Sequence, residues 1–158
     1  MKPLPALKIL NELAMNDLRR RYPDIPEGYL PRPKFTDKTA NGLTRTIIKF
    51  LQLSGHQAER ISCTGRLVDN RKVYTDCLGH YRQIGSLKRI KSSMQPGTAD
   101  ISSIIFGRSV KIEVKTGRDR QRPEQAEYQR QVEAAGGIYF IASTFDQFYT
   151  WYNETFRH

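Results

Sequence analysis

Cysteine and histidine are scarce in this chain: 158 residues hold two of the first and three of the second. Cys63 and Cys77 come with no apolar leader after Met1-Lys2-Pro3, so they read as two free thiols in a reducing compartment rather than as a disulfide. A zinc site built on them would need His56 or His80, and the spacing follows no common ligand pattern. With His158 at the chain end, the histidines form no constellation for histidine-driven hydrolysis. No stretch approaches the roughly 20 apolar residues that cross a bilayer, so no membrane partner is expected. Repeats and low-complexity tracts are absent too.

Basic charge, by contrast, is plentiful and unevenly placed. The net charge is +10, and from Arg60 to Arg122 there are 14 Lys and Arg against five acids, whereas the rest of the chain holds 12 basic and 11 acidic residues. Excess cations in one stretch predict a polyanionic partner, because each neutralised phosphate releases counterions. A solvated basic face with no ligand is the plainer alternative.

Periodicity outlines the elements. Leu7, Leu10, Leu13, Ala14 and Leu18 predict a helix from about Ala6 to Arg21. Pro23, Pro26, Pro31 and Pro33 then impose an extended arm, which gives an N-terminal region 1–34 and a domain 35–158. Leu43, Ile47, Phe50 and Leu51 mark a second helix between Thr39 and Ser54, stopped at Gly55. A strand is expected over Gln57 to Cys63, and Arg66 to Tyr74 is expected to form a hairpin turning at Asp69-Asn70. No period is convincing from there to Gly97. Strands follow near Asp100 to Phe106 and Ser109 to Lys115, joined by a tight turn at Phe106-Gly107-Arg108. A helix from Pro123 to Ala135 ends at Gly136-Gly137, Ile138 to Ala142 is a strand buried on both faces, and Thr144 with Gln147 opens a last helix to about Phe156. On that helix Phe145, Phe148, Tyr149, Tyr152 and Phe156 form an aromatic stripe that reads as core. The order is helix, three strands, helix, strand, helix, after an extra N-terminal helix: an α/β arrangement.

The chemistry concentrates on the second of the central strands. Strand side chains alternate, so Val110, Ile112 and Val114 face one way and Glu113 and Lys115 the other. Asp100 and Glu113 are the hard oxygen donors that Mg²⁺ or Mn²⁺ prefers, with the Val114 backbone carbonyl as a third. Lys115 could orient an attacking water or stabilise charge on a phosphorane. Phosphodiester hydrolysis needs that help, being among the slowest uncatalysed reactions. A Glu-x-Lys alone is as readily a surface ion pair. The value lies in its surroundings: an aspartate opening the preceding strand, and the basic loop Arg118, Arg120, Arg122 leading into a helix.

With Gly97-Thr98-Ala99-Asp100, Ile112-Glu113-Val114-Lys115-Thr116-Gly117, Arg122-Pro123-Glu124-Gln125 and Gly136-Gly137-Ile138, the chain from about Thr39 to Phe148 resembles the PD-(D/E)xK nuclease superfamily, and within it the VRR-NUC type. The resemblance implies a restriction-endonuclease-like core, αβββαβ, with a mixed central sheet flanked by helices. It implies that Asp100 and Glu113 bind the metal, that Lys115 is catalytic, and that Gln125 sits at the site from the following helix; as a bare residue Gln125 would be a solvent-facing helix position. It further implies a structure-selective DNA endonuclease acting on branched, flapped or junction DNA such as four-way junctions, in the cytoplasm of a bacterium or phage-infected cell, with a homodimer suggested by the amphipathic N-terminal helix. One departure stands out. Such proteins usually carry a glutamate near the start of the helix before the first strand, and Thr39 to Ser54 contains no carboxylate. Asn41 or Asp37 could substitute, and a single ion is expected; the alternative is a non-catalytic DNA-binding module that keeps the fold.

Arg66, Arg71, Lys72, Lys88, Arg89 and Lys91, together with Arg118, Arg120 and Arg122, are the expected nucleic-acid contacts, to the backbone rather than to base edges. Nothing in the sequence reads or rejects a 2′-hydroxyl, so RNA stays open beside DNA.

Overall fold

In the computed structural model, residues 5–62, 65–90 and 94–156 are described, and they divide into two compact units, Met1–Ile61 with Gly97–His158, and Ser62–Pro96. Cys63, Lys91 and His158 lie outside the described residues. The protein is mixed α/β.

The first unit begins with α1 (Ala6–Arg21), as the apolar spacing predicts. A single 3₁₀ turn at Glu27–Tyr29 interrupts the proline arm. Ala6 and Leu10 belong to the same core as the later elements, and the Ala6 N–H donates to Asp146 Oδ1 at 2.9 Å. Residues on both sides of position 35 therefore share one unit, and α1 spends its apolar face on its own chain.

Helix α2 (Ala40–Leu53) is started by Thr39, whose Oγ1 accepts from the Gly42 N–H at 3.1 Å, and ends before Gly55 at φ 84°. Its face of Leu43, Ile47, Phe50 and Leu51 is fully buried. The sheet order is β1 (Gln57–Arg60), β6 (Ile101–Ile105), β7 (Arg108–Val114), β8 (Ile138–Ala142), with the β7–β8 pair parallel and the other pairs antiparallel. Phe106 (φ 46°) and Gly107 (φ 79°) fill the two positive-φ positions of the tight turn between β6 and β7. The parallel crossover from β7 to β8 runs through α3 (Pro123–Ala134), with Pro at the first helical position. Strand β8 has only Tyr139 and Ala142 buried, so it is covered less completely than the expected two-sided burial.

The aromatic stripe of α4 (Phe145–Phe156) is core, as expected. Phe50 of α2 meets Phe145, Phe148, Tyr149 and Tyr152 edge-on, with ring centroids 5.1–6.0 Å apart, a geometry that adds to area burial. Gln147 accounts for the start of the helix: its N–H donates to Thr144 Oγ1 at 3.2 Å and its Oε1 accepts from the Ser143 N–H at 2.9 Å.

The second unit is built from β2 (Arg66–Asp69), β3 (Lys72–Thr75), β4 (Tyr81–Ile84) and β5 (Leu87–Ile90). The expected hairpin at Asp69-Asn70 does not form. Strand β2 pairs with β5 and β3 pairs with β4, so the chain runs straight past Asp69-Asn70 and turns back only after Thr75. The Asp69 carboxylate, instead of closing a turn, accepts from the Arg71 N–H at 3.0 Å and from its guanidinium at 2.7 and 2.9 Å.

Candidate functional site

The residues singled out on β6, β7 and α3 come together at the C-terminal end of β7. Ile101 is paired with Ile112, so Asp100 lies one step beyond the ladder, level with Glu113. Two bonds hold it there. Its backbone carbonyl accepts from the Ile61 N–H at 2.8 Å, and its side-chain Oδ2 accepts from the Val114 N–H at 3.0 Å. Because the N–H and C=O of a strand residue point to the same edge, the Val114 carbonyl is on the Asp100 side, while the next residue turns to β8, the Lys115 N–H donating to Ala142 O at 2.9 Å.

Alternation along β7 gives Val110, Ile112 and Val114 to the core as expected, but the opposite side is closed as well: Glu113 is 3% and Lys115 7% exposed. Glu113 Oε1 is held twice, by Lys115 Nζ at 3.1 Å and by Gln125 Nε2 at 2.5 Å. Lys115 also donates to Asp119 Oδ2 at 3.2 Å, a partner that the sequence did not suggest. Burial, and secondarily the negative charge of Asp100, push the Glu113 carboxyl above the ordinary glutamate range, against the opposing pull of Lys115 and of the Asp100 N–H. Glu113 Oε2 is buried and makes no hydrogen bond among the described residues.

Gln125 is more than a helix-surface residue. Its Oε1 accepts from the Arg122 N–H at 2.9 Å, which leaves only its NH₂ to face Glu113 and thereby fixes the amide's orientation. The first turn of α3 is in turn seated on the loop before β6. Gly97 has φ 80°, and a Cβ there would stand 2.2 Å from the Glu124 carbonyl oxygen. Only glycine permits this approach, so Gly97 and Gln125 belong to one packing arrangement joining the Asp100 loop to α3.

A buried tyrosine adds to the site. In the parallel register Lys111 is opposite Tyr139 and Glu113 opposite Ile141, which sets Tyr139 on the Glu113 face. Its hydroxyl is buried without a hydrogen-bond partner among the described residues. Burial first and the Glu113 charge second raise its pKa, while a polar contact from Gln121 opposes the rise. Its position in an apolar run hid it, though a tyrosine two strand positions before Ile141 is a signal that the register of a parallel neighbour would have exposed.

The two substitute donors have hydrogen-bond partners of their own. Asn41 Oδ1 accepts from Arg60 at 2.8 Å, and Asp37 Oδ2 accepts from the Phe145 N–H at 3.1 Å, at the start of α4. Among the described residues no group of three His, Cys, Asp or Glu side chains is arranged to hold a metal ion. Asp100, Glu113 and the Val114 carbonyl form a donor set that could hold a metal ion. It would suit a divalent ion that keeps several waters: the Asp100 charge helps to raise the Glu113 pKa, and Glu113 Oε2 is buried without a hydrogen-bond partner among the described residues.

Arg118, Arg120 and Arg122 are exposed on the loop between β7 and α3, alongside the Lys115–Asp119 pair. Arg66, Arg71, Lys72, Lys88 and Arg89 are exposed in the second unit. Cys77 is a free, exposed thiol. No helix among the described residues is long and apolar enough to cross a membrane. Comparison with known proteins gave no matching family model and no matching curated protein.

Proposed function

We propose that this protein is a divalent-metal-dependent nuclease of the PD-(D/E)xK type, hydrolysing phosphodiester bonds in DNA and selecting branched, flapped or junction structures. The order of α2, β1, β6, β7, α3, β8 and the mixed sheet agree with a restriction-endonuclease-like core. The observation that carries the reading is the buried Glu113 carboxylate, with one oxygen held by Lys115 and Gln125 and the other without a partner, beside Asp100. A surface ion pair would have no reason to be buried to this degree beside a second carboxylate.

Asp100, Glu113 and the Val114 carbonyl would hold Mg²⁺ or Mn²⁺. When bound, such an ion supplies charge neutralisation at the phosphoryl oxygens and a more acidic water. The chain's own residues do the rest. Gln125 keeps the Glu113 carboxylate in one orientation, the Val114 N–H does the same for Asp100, and Asp119 holds the Lys115 ammonium at the site rather than letting it extend to solvent. Lys115 is then placed to stabilise negative charge developing on the scissile phosphate. Arg118, Arg120 and Arg122 would grip the backbone of the incoming strand.

The second reading is a DNA-binding module without catalysis. It is favoured by the absence of a carboxylate from α2, with Asn41 Oδ1 taken up by Arg60 and Asp37 Oδ2 by the Phe145 N–H. Labelled four-way junction, flap, single-stranded and duplex DNA, and the matching RNA, incubated with Mg²⁺ or Mn²⁺, separate the two. Cleavage that Lys115→Met reduces by about a thousandfold, the scale of losing one group that stabilises transition-state charge, supports the enzyme. Binding with no cleavage under either metal supports the module.

A further inference from the structure

The second unit has a shape of its own. The segments 66–75 and 81–90 run antiparallel along their whole length, first as β2 with β5 and then as β3 with β4, and the Asn70 N–H donates to Ser86 O at 3.3 Å where the two pairings meet. Gly85, at φ 86°, brings the backbone so close that a Cβ would stand 2.1 Å from the Asn70 carbonyl oxygen. The result is one two-stranded ribbon, about 33 Å long at the usual rise per strand residue.

None of its described residues is buried. A two-stranded ribbon exposed on both faces is marginal in water, yet this one carries Leu67, Val73, Tyr74, Leu78, Tyr81, Ile84, Leu87 and Ile90 all more than 40% exposed. Its end is nevertheless well built. Asp76 Oδ1 accepts from the Leu78 and His80 N–H groups at 2.9 Å each, its Oδ2 accepts from Arg82 Nε at 2.9 Å, and its backbone carbonyl accepts from the Gly79 N–H at 3.0 Å. That turn holds Leu78 out at the tip, 76% exposed, with Tyr81 behind it at 84%.

Charge says what this surface meets. Six described Lys and Arg (Arg66, Arg71, Lys72, Arg82, Lys88, Arg89) stand against two acids, and both acids are already paired, Asp69 with Arg71 and Asp76 with Arg82. Two ribbons brought together would juxtapose net positive surfaces, which disfavours a second copy as the occupant. A nucleic acid fits both features. A two-stranded ribbon is a shape that enters a duplex groove, cations along it meet phosphates, and an apolar side chain held at a tip is the device that parts base steps.

We propose that the ribbon 66–90 is an arm that engages DNA at an opened base step, with Leu78 as the wedge and Tyr81 as the stacking surface for the exposed base. This deepens the nuclease reading by assigning structure selectivity to the ribbon, and it concerns binding alone. Opened steps cost little to wedge, whereas an intact duplex must first be unstacked.

The test is anisotropy binding of the full chain in EDTA, where cleavage is silent, to a flap or four-way junction and to a duplex of the same length, with 2-aminopurine at the branch point reporting unstacking. The wild type is expected to favour the branched DNA and to brighten the 2-aminopurine. Leu78→Ala and Tyr81→Ala are expected to lose both, with about a tenfold or greater drop in affinity for branched DNA, within the range for removing one base stack, and little change for duplex. Both positions are exposed, and circular dichroism checks the fold. Equal binding by the variants overturns the assignment, as does a wild type that binds no DNA. A wild-type dimer that these substitutions convert to a monomer, without any effect on DNA, also overturns it. Cleavage assayed separately in Mn²⁺ keeps the two readings apart: discrimination without cleavage removes the nuclease and leaves the arm.

Discussion

The two units of this chain use carboxylates in opposite ways. In the ribbon, Asp69 and Asp76 are held by Arg71 and Arg82 in the open, and these hydrogen bonds lower both pKa values. In the sheet unit, Glu113 is buried, and burial with the neighbouring Asp100 charge raises its pKa. The first arrangement orders a turn and a strand end. The second keeps a carboxylate where ionisation is unfavourable, which under the proposed function is what a bound cation would relieve.

The same contrast governs packing, and substitution can test it. Phe50 is 1% exposed at the centre of the aromatic cluster, so Phe50→Ala is expected to cost about 3–5 kcal/mol in denaturant unfolding. Leu67→Ala in the ribbon, at a position 64% exposed, should stay within about 0.5 kcal/mol. A large loss at Leu67 would mean that the ribbon is buried against something.

Next in size is Gly97→Ala. Positive φ and the collision with Glu124 together should destabilise by about 3 kcal/mol, and they should also weaken Mn²⁺ binding by moving Gln125 off Glu113. Undisturbed Mn²⁺ binding in that variant would break the link drawn between the Asp100 loop and α3.

A smaller effect concerns pH. Because the folded Glu113 pKa stands above the ordinary value of 4.5, the native state binds the proton more tightly than the unfolded chain. Its contribution without metal is therefore unfavourable at neutral pH and recovers as pH falls through the raised value toward 4.5. Asp69 and Asp76 have the opposite sign: their contribution is present above the ordinary value of 3.8 and is lost as pH falls through their lowered values. Metal-free melting curves should thus show wild type gaining on Glu113→Gln between neutral pH and 4.5. Parallel curves for the two proteins would contradict the burial argument.

Much of the sheet unit was legible because its residues obey a period. Leu7 to Leu18 and Leu43 to Leu51 repeat at helical spacing, Val110 to Val114 alternates, and Phe106-Gly107 sits where a tight turn must be. The site's skeleton followed, since Asp100, Glu113 and Lys115 are fixed by adjacent strands. The ribbon was illegible for the converse reason: with both faces exposed, no alternation is selected, and Asp69-Asn70 looked like a turn because Asp and Asn are common there. The roles of Gly97, Asp119 and Tyr139 depend on contacts across the fold that no local pattern encodes. Asn41 and Asp37 illustrate the limit from the other side, as plausible donors whose partners proved to be Arg60 and the start of α4.

The proposed function rests on Asp100 and Glu113 sharing one cation. Titration of the full chain with Mn²⁺, followed by electron paramagnetic resonance, tests this directly. The expected result is one saturable ion per chain, lost in Asp100→Asn and in Glu113→Gln and retained in Leu67→Ala. Absence of saturable binding to the wild type, or binding that survives both carboxylate substitutions, would contradict it.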